Sequence, residues 1–300
     1  MSTPEQSVGI QAEHPAERAL FRTLFDDAAA FPPGLAPLPD AVADHVARQS
    51  SSYADLIGPL LLPASVIEDF LHCERVREMD VALIARPGTD LALVGDARSR
   101  FDGDARLRLE GDPGVNLTGI EIRWSPDWHQ ALGWRGAWLS VEVPTGSQPA
   151  RALSDIQEHA GDGNLVRAKF RTGSTPNGPI PTPTELATFI RACVDHDLGF
   201  KLTGGLHHAI SQTTPDGEDQ FGFLNVIAAT LWSQVHGAEV PEMESILSQR
   251  DPTSILDIIT RMSDADASLV RTFFTAYGCC GVMDPIRDLA SLGLIEEKTV

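Results

Sequence analysis

The sequence predicts an α/β protein of the (β/α)8 TIM-barrel class. Eight short apolar runs end in polar or glycine residues, and longer stretches with helical patterning separate most of them. The length of 300 residues suits one such barrel, which typically takes about 250 residues plus insertions. A Rossmann-like open sheet is the competing architecture, but no Gly-x-Gly-x-x-Gly motif opens any of the predicted helices.

The first half of the chain contains four of the predicted strands. They cover 20–25, 58–62, 81–85 and 119–122. Between them we predict helices at about 39–50, from Ser65 onward and at about 91–98. Ser65 and Glu68 have the spacing of a capping box, in which each residue satisfies a backbone N–H group at the start of a helix.

The second half contains the other four strands. They cover 138–143, 165–170, 199–202 and 270–276. The helices predicted in this half cover about 150–159, 184–195, 221–262 and 285–292. No segment is different enough to form a second domain. We therefore predict a single barrel domain over 1–300, with a helical insertion at about 237–263.

Composition and charge exclude several classes of function. With 42% hydrophobic and 22% charged residues, the chain can bury a sizeable core. The formal net charge of −19 argues against nucleic acid or an anionic membrane as a partner, because both require a basic face. The four cysteines include no CxxC pair and no zinc-like spacing. With neither a signal peptide nor a long apolar run, we expect a cytoplasmic protein with reduced thiols.

Two lysines are the most informative polar residues in the predicted strands. In this class of barrel, residues at the C-terminal ends of the strands face the active site. Lys169 and Lys201 lie near the ends of the sixth and seventh strands, where burying an ammonium group is costly unless it is paired or deprotonated. Two neighbouring ammonium groups also lower each other's pKa, which favours a nucleophilic amine at neutral pH.

The turns after the last three strands resemble those of a known family. The sixth strand ends in AKFRTG, which contains Lys169, and the seventh ends in FKLTGG, which contains Lys201. The eighth ends in YGCC, and Glu142 lies at the end of the fifth. At these turns the sequence resembles deoxyribose-phosphate aldolase, a class I aldolase with a barrel fold.

The resemblance implies roles for individual residues. Lys169 resembles the lysine that forms a Schiff base, and Lys201 resembles the second lysine that keeps its neighbour deprotonated. Gly204, Gly205 and the turn at 278–280 resemble the backbone cradle for a substrate phosphate, which needs close approach and free N–H groups.

The sequence also departs from the family pattern. His207 stands where the family has an arginine, and Glu121 is the carboxylate nearest to the position of the family's aspartate on strand four. Arg171 replaces a small hydroxyl residue, and a cation there favours a carboxylate or another anionic group on the substrate. We predict catalytic roles for Lys169, Lys201, Glu142 and Asp27, and substrate-binding roles for Arg86, Arg171, Gly204, Gly205, His207, Gly278 and Cys279.

Three functions remain open at this stage. The leading one is a lyase of the class I aldolase type, without metal or cofactor, that acts on a small carbonyl compound bearing a phosphate or carboxylate. The second is a metal-dependent hydrolase or isomerase with His207 or His208 and Asp26, Asp27 or Glu142 as ligands. The third is a non-catalytic binder of small anions, in which Lys169 and Lys201 act as charges and are salt-bridged to Glu142 and Glu121. A homo-oligomer stays open for all three.

Overall fold

The computed structural model describes residues 15–73, 78–85, 106–107, 114–133, 136–145, 149–161, 163–175 and 178–296. Within them, eight parallel strands form a closed barrel. In chain order they are β1 (Phe25–Asp27), β2 (Ile57–Pro63), β3 (Met79–Ile84), β4 (Val115–Arg123), β5 (Trp138–Glu142), β6 (Val166–Arg171), β7 (Phe200–Thr203) and β8 (Phe274–Cys279).

Each strand pairs in parallel with the next one in the chain, and β8 pairs with β1 to close the barrel. At the closure, Asp26 lies opposite Gly278. This topology confirms the predicted (β/α)8 barrel. Short antiparallel pairs lie outside it: Arg106–Leu107 runs beside β4, and Gln212–Thr213 pairs with Asp219–Gln220.

Ten helices surround the barrel in the part of the chain that is described. They are α1 (Pro15–Phe21), α2 (Leu38–Arg48), α3 (Ile67–Leu71), α4 (Pro149–His159), α5 (Pro183–Asp195), α6 (Phe223–Val235), α7 (Val240–Leu247), α8 (Pro252–Thr260), α9 (Asp264–Phe273) and α10 (Met283–Ser291). The segment predicted as an insertion contains α7 and α8, and α7 packs against α5 and α6. Among the described helices, none has the length and hydropathy of a membrane span.

The first and last predicted strands begin too early. Part of the run at 20–25 belongs to α1, and part of the run at 270–276 belongs to α9. The apolar residues of both runs are buried, and they would be buried equally well in a helix or in a strand. A short apolar run does not distinguish a strand from a buried helix segment.

The predicted capping box at Ser65 is wrong. Helix α3 begins at Ile67, after a 3-10 turn, and has no side-chain cap. A capping box does form at α5, where Thr182 and Glu185 satisfy each other's backbone N–H groups. The helix predicted at 91–98 lies outside the described residues.

Alternation along β6 decides which side chains face the barrel interior. Phe170 points outward, where its ring stacks on Phe189 of α5 with the centroids 4.6 Å apart. Because successive side chains of a strand point to opposite faces, Lys169 and Arg171 point to the interior side. Because Phe170 packs against the helices outside the barrel, the side chains of Lys169 and Arg171 point into it.

Candidate active site

Lys169 and Lys201 lie side by side inside the barrel. The register of β6 and β7 places the two residues opposite each other, and both side chains are buried. Both strands are covered by helices on the outside, so their outward positions are apolar and the two lysines have only the interior to occupy. This arrangement requires negative charge close to both amines.

Glu121 of β4 supplies part of that charge from across the barrel. Its Oε2 atom lies 2.8 Å from Lys169 Nζ, and its Oε1 atom lies 2.5 Å from Lys201 Nζ. The carboxylate is fully buried. One negative group thus bridges two ammonium groups, and its attraction to both offsets their mutual repulsion.

Further charged groups extend this bridge in both directions. At the fully buried end, Lys201 pairs with Asp26 of β1. Toward the open side, Lys169 Nζ lies 2.9 Å from Glu142 Oε2, and Glu142 Oε1 lies 3.7 Å from Arg171 Nε. We call this series the charge chain; its members, in order, are Asp26, Lys201, Glu121, Lys169, Glu142 and Arg171.

Exposure increases along the charge chain and shows where a substrate would enter. The side chain of Lys201 is fully buried and that of Lys169 is 4% exposed, whereas Glu142 is 14% exposed and Arg171 36% exposed. Solvent therefore reaches the charge chain from the end at Arg171. Of the two amines, Lys169 is the one nearer to an incoming molecule.

The electrostatics of Lys169 differ from the sequence prediction. Burial alone would lower the pKa of Lys169, but Glu121 and Glu142 outweigh burial and raise it. The carboxylates beside the amine thus outweigh the predicted mutual lowering of the two lysine pKa values, and the contacts match the alternative in which the lysines are salt-bridged to Glu142 and Glu121. In the resting protein Lys169 is therefore an ammonium group.

The three carboxyl groups of the charge chain titrate differently. Burial raises the pKa of Asp26 and outweighs its pairing with Lys201. Burial acts in the same direction on Glu121 and Glu142, but there the neighbouring lysines prevail and lower the pKa of both groups. Asp26 is thus the carboxyl group of the chain that most readily holds a proton.

Asp27, predicted as catalytic, points away from the charge chain. Its Oδ2 atom lies 3.0 Å from His45 Nδ1 and accepts a hydrogen bond of 2.8 Å from Arg48 Nη1, both on α2. Its Oδ1 atom accepts the N–H of Ala29. The alternation of β1 turns Asp26 inward and Asp27 outward, so Asp26 is the residue that meets Lys201.

Gly58 of β2 leaves room for Asp26. A Cβ atom at this position would overlap with Asp26 Oδ1 and would also approach Cγ at 3.1 Å. The buried aspartate can occupy its position because the neighbouring strand has a hydrogen in place of a side chain. Sequence reasoning missed this residue, because a glycine at the start of a strand gives no sign of what it faces.

The predicted phosphate cradle is a tightly packed pair of turns. Gly204 and Gly205 both have positive φ, at 76° and 79°. A Cβ atom on Gly173, in the turn after β6, would lie 3.0 Å from the carbonyl carbon of Gly204. Gly278 is constrained in a similar way, since a Cβ atom there would lie 3.0 Å from Leu61 Cδ1. Glycine at these positions permits close packing of neighbouring segments.

The predicted substrate-binding residues His207 and Cys279 contact each other. His207 Nδ1 lies 3.7 Å from Cys279 Sγ and 3.1 Å from Asp284 Oδ2, and His208 Nδ1 lies 3.3 Å from Asp288 Oδ2. Both histidines thus pair with α10 and not with the carboxylates of the charge chain. In the described ranges, no group of three or more His, Cys, Asp or Glu residues is arranged to hold a metal ion. Arg86 lies outside the described residues.

A surface cavity of about 360 Å³ opens beside the segment that follows His208. Its lining includes Arg250 of the loop before α8 and Asp288 of α10, and it contains no member of the charge chain. The ionisable side chains that line this cavity are at least partly exposed. The charge chain instead concentrates buried ionisable groups, and four of them, Asp26, Glu121, Glu142 and Lys169, have shifted pKa values, a feature that clusters at functional sites. We therefore take the charge chain as the candidate active site.

The comparisons with known proteins add no relative from which a role could be transferred. The chain matches no protein-family model, no curated protein and no solved structure.

Proposed function

We propose that the protein is a lyase of the class I aldolase type, in which Lys169 forms a Schiff base with a small carbonyl compound. The observation that carries the proposal is the position of Lys169, a buried amine between two carboxylates, next to the open end of the charge chain. The cation Arg171 at that end favours a substrate with a carboxylate or phosphate group. The likeness of the β6 and β7 turns to deoxyribose-phosphate aldolase supports the same chemistry.

Lysine usage in the whole sequence supports a chemical need for an amine. The chain has 23 basic residues besides histidine, of which only Lys169, Lys201 and Lys298 are lysines. Two of the three are buried together in the barrel. Arginine stays protonated and is the usual choice for a buried ion pair, whereas lysine can lose its proton and attack a carbonyl group. If Lys169 and Lys201 served only in structural ion pairs, arginine could take their places, as it does at most basic positions of this chain.

The proposed reaction begins with a proton transfer from Lys169. The ammonium is 2.9 Å from Glu142, whose pKa is lowered by Lys169 and Arg171 although burial opposes this. When the anionic group of the substrate binds Arg171, it screens this cation from Glu142. Glu142 then becomes more basic and accepts the proton of Lys169. Substrate binding would in this way produce the neutral amine.

The remaining steps follow from the neutral amine. Lys169 adds to the substrate carbonyl, and loss of water from the adduct gives an iminium ion. The iminium accepts the electron pair of the breaking carbon–carbon bond and becomes an enamine, while the departing fragment leaves as an aldehyde after losing its hydroxyl proton. Protonation of the enamine and hydrolysis release the second product. Glu142, being reachable from solvent, carries these protons, while Glu121 and Lys201 hold the amine in place.

Borohydride trapping tests this proposal directly. The protein would be incubated with pyruvate, acetaldehyde or glyceraldehyde 3-phosphate, reduced, and analysed by intact mass and peptide mapping. We expect a single adduct at Lys169 and none at Lys298, which serves as an internal control. Lys169→Arg should abolish the adduct while Lys201→Arg retains Lys169 as the site. Absence of an adduct at Lys169 with every carbonyl compound would contradict the proposal.

The raised pKa of Lys169 also favours a second candidate function, the non-covalent binding of a small anion. In that case the ammonium keeps its proton, and Lys169 and Arg171 act as charges. Pyruvate or inorganic phosphate would then raise the melting temperature without forming an adduct. Lys169→Arg would preserve this binding, since it retains the positive charge, whereas it would abolish Schiff-base chemistry.

We further propose that the protein works in the cytoplasm on a small anionic carbonyl compound, without a nucleic acid or membrane partner. All four cysteines are free thiols, as is typical of proteins in a reducing compartment. The net charge of −19 disfavours binding to polyanions.

A further inference from the structure

A second group of reactive side chains lies outside the charge chain, where β8 ends. Cys280 Sγ is 3.3 Å from His207 Nε2, and the other ring nitrogen, Nδ1, is 3.1 Å from Asp284 Oδ2. A nucleophile, an imidazole and a carboxylate follow one another within hydrogen-bonding distance. This is the order in which an imidazole activates a thiol or hydroxyl group.

Three separate segments bring these groups together. Cys280 follows β8, His207 lies in the segment after β7, and Asp284 lies in the first turn of α10. Gly281 permits the approach, because a Cβ atom there would overlap with Asp284 Oδ2 and lie 3.5 Å from His207 Nδ1. The three side chains thus require both the barrel fold and a glycine at the turn.

We propose that Cys280 is a nucleophilic thiolate that exchanges with small disulfides and thereby carries a reversible mixed disulfide. The Cys280 sulfur attacks one sulfur of the small disulfide, a new sulfur–sulfur bond forms, and the original one breaks. The leaving thiolate takes a proton from solvent. The small disulfide supplies the oxidising equivalent, and a small thiol reverses the reaction.

The charges around Cys280 support this reactivity. The protonated ring of His207 donates hydrogen bonds to the sulfurs of Cys279 and Cys280, and these contacts raise the pKa of His207 and favour the imidazolium at neutral pH. Burial opposes ionisation of Cys280, but the hydrogen bond and charge of His207 lower its pKa overall. The other groups that face this cluster are Asp284, which also pairs with Arg287, and the backbone N–H of Gly34, which favours the thiolate.

The neighbouring Cys279 neither competes with Cys280 nor removes its modification. Cys279 is buried, and burial raises the pKa of its thiol. Adjacent Cα atoms are about 3.8 Å apart, whereas most disulfides span about 4.4–6.8 Å, so a bond between the two cysteines is unfavourable. A mixed disulfide on Cys280 therefore persists until an external thiol reduces it.

Thiol-labelling kinetics test the proposal. The full-length protein would react with 5,5′-dithiobis(2-nitrobenzoate) and, separately, with oxidised glutathione, between pH 6 and pH 8.5, with the modified cysteine identified by peptide mass spectrometry. The comparator is Cys73, which is also partly exposed and whose Sγ donates to the Asp69 carbonyl oxygen. We expect Cys280 to react at least about tenfold faster than Cys73 at pH 6, because most of an ordinary thiol is protonated there.

Variants of the imidazole give a second readout. His207→Gln should slow Cys280 to about the rate of Cys73 and give it the steep pH dependence of an ordinary thiol. His208→Gln, which changes the next residue, should leave the rate unchanged. If wild-type Cys280 reacts no faster than Cys73 and with the same pH dependence, the proposal is overturned, and this holds even if His207→Gln fails to fold. A folded His207→Gln variant with the wild-type rate would overturn it as well.

Discussion

Glu121 Oε1 lies 2.5 Å from Lys201 Nζ, deep in the barrel and between strands that are not neighbours. The other oxygen of the same carboxylate holds Lys169. Removing this one negative charge would leave two ammonium groups buried side by side. Glu121 therefore contributes to the stability of the barrel and, together with Glu142, to the protonation of Lys169.

Replacing Glu121 by Gln should destabilise the protein strongly. The change retains the shape but removes the charge, and breaking a buried ion pair from one side costs about 3–5 kcal/mol. Urea denaturation at pH 7 would measure the loss in the free energy of unfolding. Glu158→Gln, the same change at an exposed position of α4, should alter it by less than about 0.5 kcal/mol. Equal stability of the two variants would show that Glu121 has no such role.

The contribution of Glu121 should also depend on pH. Lys169 and Lys201 outweigh burial and lower the pKa of Glu121 below its value of about 4.3 in an unfolded chain. Its stabilising effect is therefore fully present above that unfolded pKa and is lost as pH falls through the folded value. In urea titrations from pH 6 to pH 2, the difference between wild type and Glu121→Gln should shrink below about pH 4. A constant difference across this range would contradict the assignment.

Glu142→Gln should make Lys169 reactive at lower pH. Glu121 and Glu142 together raise the pKa of Lys169 against the effect of burial, so removing one of these charges lowers it. The rate of Lys169 acetylation by acetic anhydride, followed by peptide mapping as a function of pH, reports this titration independently of catalysis. The midpoint should move to lower pH in the variant, while that of Lys298 stays where it is. An unchanged midpoint for Lys169 would show that Glu142 does not control the amine.

Gly58→Ala should disturb the closed end of the charge chain. The added methyl group would overlap with Asp26 Oδ1 and force this carboxylate away from Lys201. Overpacking of this kind costs about 1–3 kcal/mol in the free energy of unfolding. Gly178→Ala is the control, because its Cβ would meet only Thr175 Oγ1, at 3.7 Å. In thermal denaturation, Gly58→Ala should have a lower melting temperature than Gly178→Ala. Equal melting temperatures would show that the protein accommodates a methyl group next to Asp26 without loss of stability.

The barrel itself could be predicted from sequence because its strands are separate apolar runs, each ended by polar or glycine residues. Strand ends were less predictable: apolar residues near β1 and β8 are buried in α1 and α9 as well as in the strands. The pattern of apolar residues indicates which positions are buried. Over only a few residues, a buried helix turn and a buried strand give the same pattern.

The two lysines could be predicted as a pair, since each lies near the end of a strand and the strands are consecutive. Their charge state could not. Glu121 comes from β4 and Asp26 from β1, and the sequence does not specify the register that brings these carboxylates to the amines. Whether Asp26 or Asp27 points into the barrel depends on the alternation of side chains along the three-residue strand β1. The predicted strand at 20–25 ends before both residues, so it could not assign either side chain to the interior.

The pair of Asp26 and Lys201 joins residues that are 175 positions apart in the chain. These two side chains meet only when β1 has paired with β8 and closed the barrel, which requires a contact of very high sequence separation. Until the barrel closes, Asp26 lacks Lys201, and its charge stays hydrated because burying an unpaired carboxylate is costly. The full set of charges around Lys169 and Lys201 therefore exists only in the closed barrel.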